Sequence, residues 1–139
     1  MDTLFREAAS AEAAKPATSS APEPRKADHR ETVKVDETML FRYSACTFNA
    51  HRIHYDYPYT TGVEKYPALV VNAGVSVLLL RELGIRLSGM MPRTMSTRNG
   101  APLYCGTEIT LCAKTIDGGI NLWAENAQGQ VCAEVELRS

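Results

Sequence analysis

The sequence predicts an α+β domain in which an antiparallel sheet wraps around one buried helix. Two patterns carry that expectation. From Val70 to about Leu87 the chain is apolar on nearly every side of a helical repeat, through Val71, Val75, Val77, Leu78, Leu79, Leu80, Leu83 and Ile85. A helix apolar all round belongs at the centre of a domain. After it the pattern changes to an alternation of period two, interrupted at Asp117-Gly118-Gly119 and Gln128-Gly129-Gln130. That reads as strands joined by tight turns. With 139 residues, 45% of them apolar, the chain can bury one such core and has no room for two domains.

The elements follow in order. Residues 1–30 differ in composition from the rest. Leu4 to Lys15 is rich in Ala and favours a transient helix, Pro16 stops it, and Ala17 to Pro24 reads as linker. The segment has too few large apolar groups to offset the entropy of ordering it. A solvated, disordered tail is therefore expected over 1–30, with His29 inside it, and a single domain over 31–139. Thr32 to Val35 alternates as a short strand does. Asp36 is a good N-cap for a helix from Glu37 to Cys46, with Met39, Leu40 and Tyr43 on its apolar face.

A loop follows, then a short helix after Asp56 with Pro58 near its start. Tyr66-Pro67-Ala68 leads into the long apolar helix, and Ala73, Gly74 and Ser76 at the beginning of that helix are small enough to admit close approach. Strands are expected at Arg93–Arg98, Glu108–Ile116, Ile120–Asn126 and Val131–Leu137, the last three as an antiparallel meander. A sheet of so few strands has open edges, so pairing with a second chain is expected.

Charge and composition exclude several classes of function. The net charge of -1 leaves no excess of Lys and Arg to grip nucleic acid. The four cysteines, Cys46, Cys105, Cys112 and Cys132, form no C-x-x-C pair, so a zinc ribbon or redox motif is not expected. They read as reduced thiols of an intracellular protein. No apolar run is long enough to span a bilayer. The N-terminus lacks the order of a secretory signal, and Asp2, Glu7 and Glu12 count against a transit peptide. The expected compartment is the cytoplasm, with the mitochondrial matrix as the alternative. No cofactor is expected.

The chemistry concentrates in the loop Thr47 to Asp56, which holds two of the three histidines together with Asn49, Arg52, Tyr55 and Asp56. His54 is the natural proton carrier near neutral pH. Asn49 donates and accepts hydrogen bonds but cannot act as a base. Asp56 either orients an imidazole or caps the next helix. His51 and His54 stand three apart, a spacing that also suits a metal pair, but only Asp56 is at hand as a third ligand, so proton transfer is preferred to metal binding. The plain alternative is that both histidines bond loop backbone. For His51 that is as good a reading as function; for His54 function is favoured.

The run Phe41-Arg42-Tyr43-Ser44-Ala45-Cys46-Thr47-Phe48-Asn49-Ala50-His51-Arg52-Ile53-His54-Tyr55-Asp56 resembles the MaoC-like hotdog hydratases and dehydratases. The branch it is most similar to holds the type 2 hydroxyacyl-thioester dehydratases and the mesaconyl- and itaconyl-CoA hydratases. The resemblance extends from about residue 32 to the end. It implies a single hotdog fold and reversible hydration of an α,β-unsaturated acyl thioester carried on CoA or acyl-carrier protein. It makes His54 the catalytic histidine and puts Asn49 where the family has its catalytic Asp. It gives the backbone N–H groups of Ala73 and Gly74 to the thioester oxygen, and Arg52, His51 and Asn72 to substrate binding.

At the helix start the family reads V-H-G-P and this chain reads Val71-Asn72-Ala73-Gly74. Members of the branch often carry two hotdogs in one chain, so a partner hotdog, identical or different, is implied. A non-catalytic subunit that binds acyl thioesters is the alternative, and a thioesterase the third reading.

Overall fold

The computed structural model describes residues 25–139. Its elements are β1 (His29–Lys34), α1 (Glu37–Cys46), a single 3-10 turn (Arg52–His54), α2 (Tyr57–Gly62), α3 (Ala73–Ser88), β2 (Thr94–Asn99), β3 (Glu108–Ile116), β4 (Gly119–Glu125) and β5 (Val131–Arg138). One antiparallel sheet contains all five strands in the order β1-β3-β4-β5-β2. The meander expected for the last three strands forms its centre. Both edge strands come from earlier in the chain.

Inward side chains of the sheet, among them Leu111, Leu122, Ala124, Val135 and Leu137, form one core with Val75, Leu80 and Leu83 of α3. A glycine sets how closely α3 lies on the sheet. A Cβ on Gly84 would stand 2.6 Å from Leu137 Cδ1 and 3.0 Å from Leu122 Cδ1, so only a residue without one fits there. A single helix packed on one face of a curling sheet is the hotdog arrangement. In this chain Leu78 and Leu87 of α3 are exposed, because the sheet covers only one side of the helix.

Two expectations about the helices change. The long helix begins at Ala73, not Val70. Val70 and Val71 are extended because their backbone groups pair sideways: Val70 N–H donates to Ile53 O (2.9 Å) and Val71 N–H to Leu103 O (2.8 Å). Met39 lies on the outer side of α1, and the buried residues of that helix are Leu40 and Ser44.

The first 24 residues of the expected tail lie outside those described, but His29 and Arg30 belong to β1 and pair with Ala113 and Cys112. The residues just before them cover the outer face of the sheet. Arg25 stacks over Trp123 at 5.5 Å, and Arg30 bonds the buried carboxylate of Glu125 at 3.1 Å. The four cysteines are free; Cys112 and Cys132 are buried, Cys105 is half-buried and Cys46 is exposed.

Candidate active site

The reactive loop is built by the end of α1. The Asn49 N–H donates to Ser44 O (2.9 Å) and the Phe48 N–H to Ala45 O (3.3 Å), the pair of bonds that closes a helix in a Schellman motif. Phe48 takes the left-handed position, φ +54°, usually held by glycine. The motif turns the chain sharply, and Asn49 then holds the turn: its Oδ1 accepts from the His51 N–H at 3.1 Å. Tyr55 Oη donates to Ala50 O (3.0 Å) and closes the loop, while Ile53 is its buried anchor.

Asp56 caps α2, its Oδ1 accepting from the Tyr59 N–H at 3.1 Å. That bond, followed by the Arg52 guanidinium, holds its carboxyl below the usual range. The Arg52 guanidinium donates to Asp56 Oδ2 (2.8 Å) and lies over the Tyr59 ring at 4.0 Å.

His54 sits at the end of the 3-10 turn and is only 7% exposed. Its Nδ1 lies 2.7 Å from Val70 O. A carbonyl only accepts, so Nδ1 carries the proton and Nε2 keeps its lone pair. Burial pushes the imidazole below its ordinary 6.5, the Val70 bond opposes that, and His51 adds to it. The two imidazoles meet edge to face, with centroids 5.6 Å apart. Val70 is thus held from both sides by the 3-10 turn: its N–H donates to Ile53 O and its carbonyl accepts from His54. That clasp places the imidazole three residues before α3.

At the start of α3, Asn72 O accepts from the Val75 N–H (2.9 Å). The N–H groups of Ala73 and Gly74 have no backbone partner among the described residues, and the Asn72 side chain caps neither. These are the free donors every helix leaves at its N-terminus, at the positive end of its dipole. The Asn72 side chain is buried; its Nδ2 reaches Ser44 Oγ at 3.4 Å, and its Oδ1 has no partner.

A cavity of about 690 Å³ gathers these groups, lined by His54, Asn49, Asn72, Ala73 and Gly74 together with Tyr43, Thr47, Phe48 and Leu103. Proton carrier, amide and free helix N–H groups therefore share one concave space. A second cavity of about 660 Å³ lies at the far end of α3, around Leu87, Met90 and Met91, and holds none of these residues. Among the described residues no cluster of three or more His, Cys, Asp or Glu is placed to hold a metal.

The model of hydroxyacyl-thioester dehydratase type 2 matches residues 2–105. The chain belongs to the type 2 hydroxyacyl-thioester dehydratase family. The chain is 42% identical over 108 residues to the mesaconyl-C(4)-CoA hydratase of Chloroflexus aurantiacus, covering 76% of this chain and 39% of that protein. It is 32% identical over 90 residues to the mitochondrial type 2 hydroxyacyl-thioester dehydratase of Schizosaccharomyces pombe, covering 63% of this chain and 29% of that one. The chain thus spans less than half the length of these two relatives. Among solved structures it resembles the (R)-hydratase of A. caviae, with a TM-score of 0.66 at 16% identity over 84% of this chain and 96% of that one. This likeness supports the hotdog fold.

Of the residues expected in the site, the cavity of this family member unites His54, Asn49, Asn72, Ala73 and Gly74. Arg52 and His51 do not line it. Arg52 turns to Asp56 and Tyr59, and His51 backs onto His54. Tyr43, expected on the apolar face of α1, and Thr47, expected as the first residue of the loop, carry no site role in the sequence reading, yet both line the cavity. Their spacing from Leu40, three and seven residues, is the signal that α1 turns the same side to the cavity as to the core.

Proposed function

We propose that this chain acts in the reversible addition of water across the double bond of an α,β-unsaturated acyl thioester, as a hydro-lyase. The observation that carries the reading is the His54 Nδ1 bond to Val70 O, which leaves a basic Nε2 in the cavity that also holds the free N–H groups of Ala73 and Gly74. In the hydration direction Nε2 takes a proton from water as the oxygen bonds to the β-carbon. The double-bond electrons move toward the thioester carbonyl, whose developing negative charge is met by the two N–H donors. The proton then returns to the α-carbon.

Asn49 Oδ1 is engaged in the turn, so its Nδ2 is the group that aligns water or substrate. Asn72 offers its unpartnered buried Oδ1 to a substrate donor. Arg52 and His51 stand outside this set, as groups that shape the loop, and reach substrate only at its carrier end.

The working unit is one hotdog running from β1 to β5 together with a second hotdog, either another copy or a related chain. The support is the exposed edge strand β2, all six of whose residues are exposed, and the open side of α3. The thioester carrier is CoA or acyl-carrier protein. The compartment is the cytoplasm or, as the name of the S. pombe relative suggests, the mitochondrial matrix. None of the described helices is long and apolar enough to cross a membrane.

The test is direct. Purified protein, alone and mixed with candidate partner hotdogs, is given crotonyl-CoA and mesaconyl-CoA, and the enoyl-thioester absorbance is followed. Loss of absorbance is expected. No turnover across a broad enoyl-thioester panel, with or without a partner, would overturn the reading.

The locked carboxamide of Asn49, which cannot share the base role, favours a second reading: a non-catalytic subunit that binds acyl thioesters for an active partner. A stable homodimer that turns over substrate by itself rules this out.

A further inference from the structure

The geometry points to Tyr43 as a third hydrogen-bond donor to the thioester oxygen, beside the N–H groups of Ala73 and Gly74. The inference rests on the hydratase reading and deepens it, because neither the loop nor the start of α3 contains this residue.

Three observations meet at one place. First, Tyr43 reaches across from α1 and lies directly on the second residue of α3. A Cβ on Gly74 would overlap the Tyr43 hydroxyl and stand 2.6 Å from Cζ, so a side chain at position 74 would displace the phenol. Glycine is needed here for the close approach of Tyr43, since Gly74 itself is helical. Second, the Tyr43 hydroxyl has no hydrogen-bond partner among the described residues, and it is not sealed from the cavity that Tyr43 helps to line. Third, the backbone groups it lies beside are the unpaired donors of the first turn of α3.

A phenol donates through O–H, with the same polarity as those N–H groups. Three donors of like polarity on the wall of one cavity suit an oxygen on which negative charge develops. Packing alone does not account for the hydroxyl, because a phenylalanine ring would fill the same space between α1 and α3. The neighbouring contact keeps α1 in register: Ser44, the next residue, is bonded by the buried Asn72 side chain at 3.4 Å. Tyr43 is thus held by its own helix on one side and by the bare glycine on the other. No covalent step is asked of it; it donates one hydrogen bond, which strengthens as the carbonyl becomes enolate-like.

The test is Tyr43→Phe, which removes one oxygen and keeps the ring. The expected result is a fall in kcat of about a hundredfold to a thousandfold, the scale on which a single such donor acts. The KM should change by less than about threefold and the melting temperature should not move. A readout independent of turnover is the carbonyl stretch of bound butyryl-CoA, a saturated thioester that cannot be hydrated. It should shift to lower frequency in the wild type and shift less in Tyr43→Phe.

A variant with kcat within twofold of wild type overturns the assignment while leaving the hydratase reading intact, and so does an unchanged carbonyl shift. A wild-type protein that binds butyryl-CoA but hydrates no enoyl thioester sinks the hydratase reading, and the carbonyl shift then decides Tyr43 alone. Failure of the wild type to bind butyryl-CoA, both alone and mixed with candidate partner hotdogs, overturns both.

Discussion

Folding and catalysis should both respond to the protonation of His54, in the same pH interval. The imidazole is buried and its Nδ1–H is used by Val70. Adding a proton to Nε2 creates a charge in a desolvated place beside a second imidazole, so the folded protein binds that proton less readily than the unfolded chain, whose His54 titrates near 6.5. Between the folded value and 6.5 the unfolded state therefore carries more protons, and stability rises with pH. The contribution is complete above 6.5 and is lost as pH falls toward the folded value.

For one proton the slope cannot exceed about 1.4 kcal/mol per pH unit. The carboxylates of Asp56 and Glu134, held below their ordinary 3.8 and 4.5, act in a lower window and do not interfere. Urea unfolding of wild type and His54→Gln at a series of pH values from about 5 to 7 reads the difference. The wild type should lose stability on acidification more steeply than the variant, and the acid limb of its kcat/KM should fall below 6.5. Parallel curves, or an acid limb above 6.5, would refute a buried neutral imidazole.

Two further substitutions test the scaffold. Phe48→Gly should raise stability by about 1 kcal/mol in urea unfolding, because φ is +54° and the ring is 95% exposed, so glycine relieves strain while little burial is lost. Gly84→Ala should lower stability by about 1–3 kcal/mol, since its methyl must push Leu137 and Leu122 away from α3. A neutral result for Gly84→Ala would mean that the helix can lift from the sheet without penalty.

The sequence made some of this plain for physical reasons. Asp36 announced α1 through a local rule, and its carboxylate does accept from the Met39 N–H at 2.8 Å. The meander was legible because its alternation and turns are also local. The beginning of α3 was not, because Val70 and Val71 are apolar in either conformation. What draws them out of the helix are carbonyls on Ile53 and Leu103, far away in the chain.

The same contrast holds in the site. His54 stands out by residue type and Asn49 through the family resemblance, and both line the cavity. Tyr43 does not stand out, since an aromatic residue three positions after Leu40 reads as packing until Gly74 is seen beneath it. Arg52 shows the reverse case. Expected at the substrate, it is turned away from the cavity by a 2.8 Å ion pair with Asp56, four residues on, which the sequence reading did not draw.

The central claim is that His54 moves the proton. The measurement that tests it most directly is kcat/KM for hydration of an enoyl-CoA by His54→Ala, compared with wild type in the same oligomeric state. A general base contributes on the order of 10²–10⁴-fold, so a loss of at least about a hundredfold is predicted, with the fold retained by circular dichroism. Activity within tenfold of wild type would contradict the account.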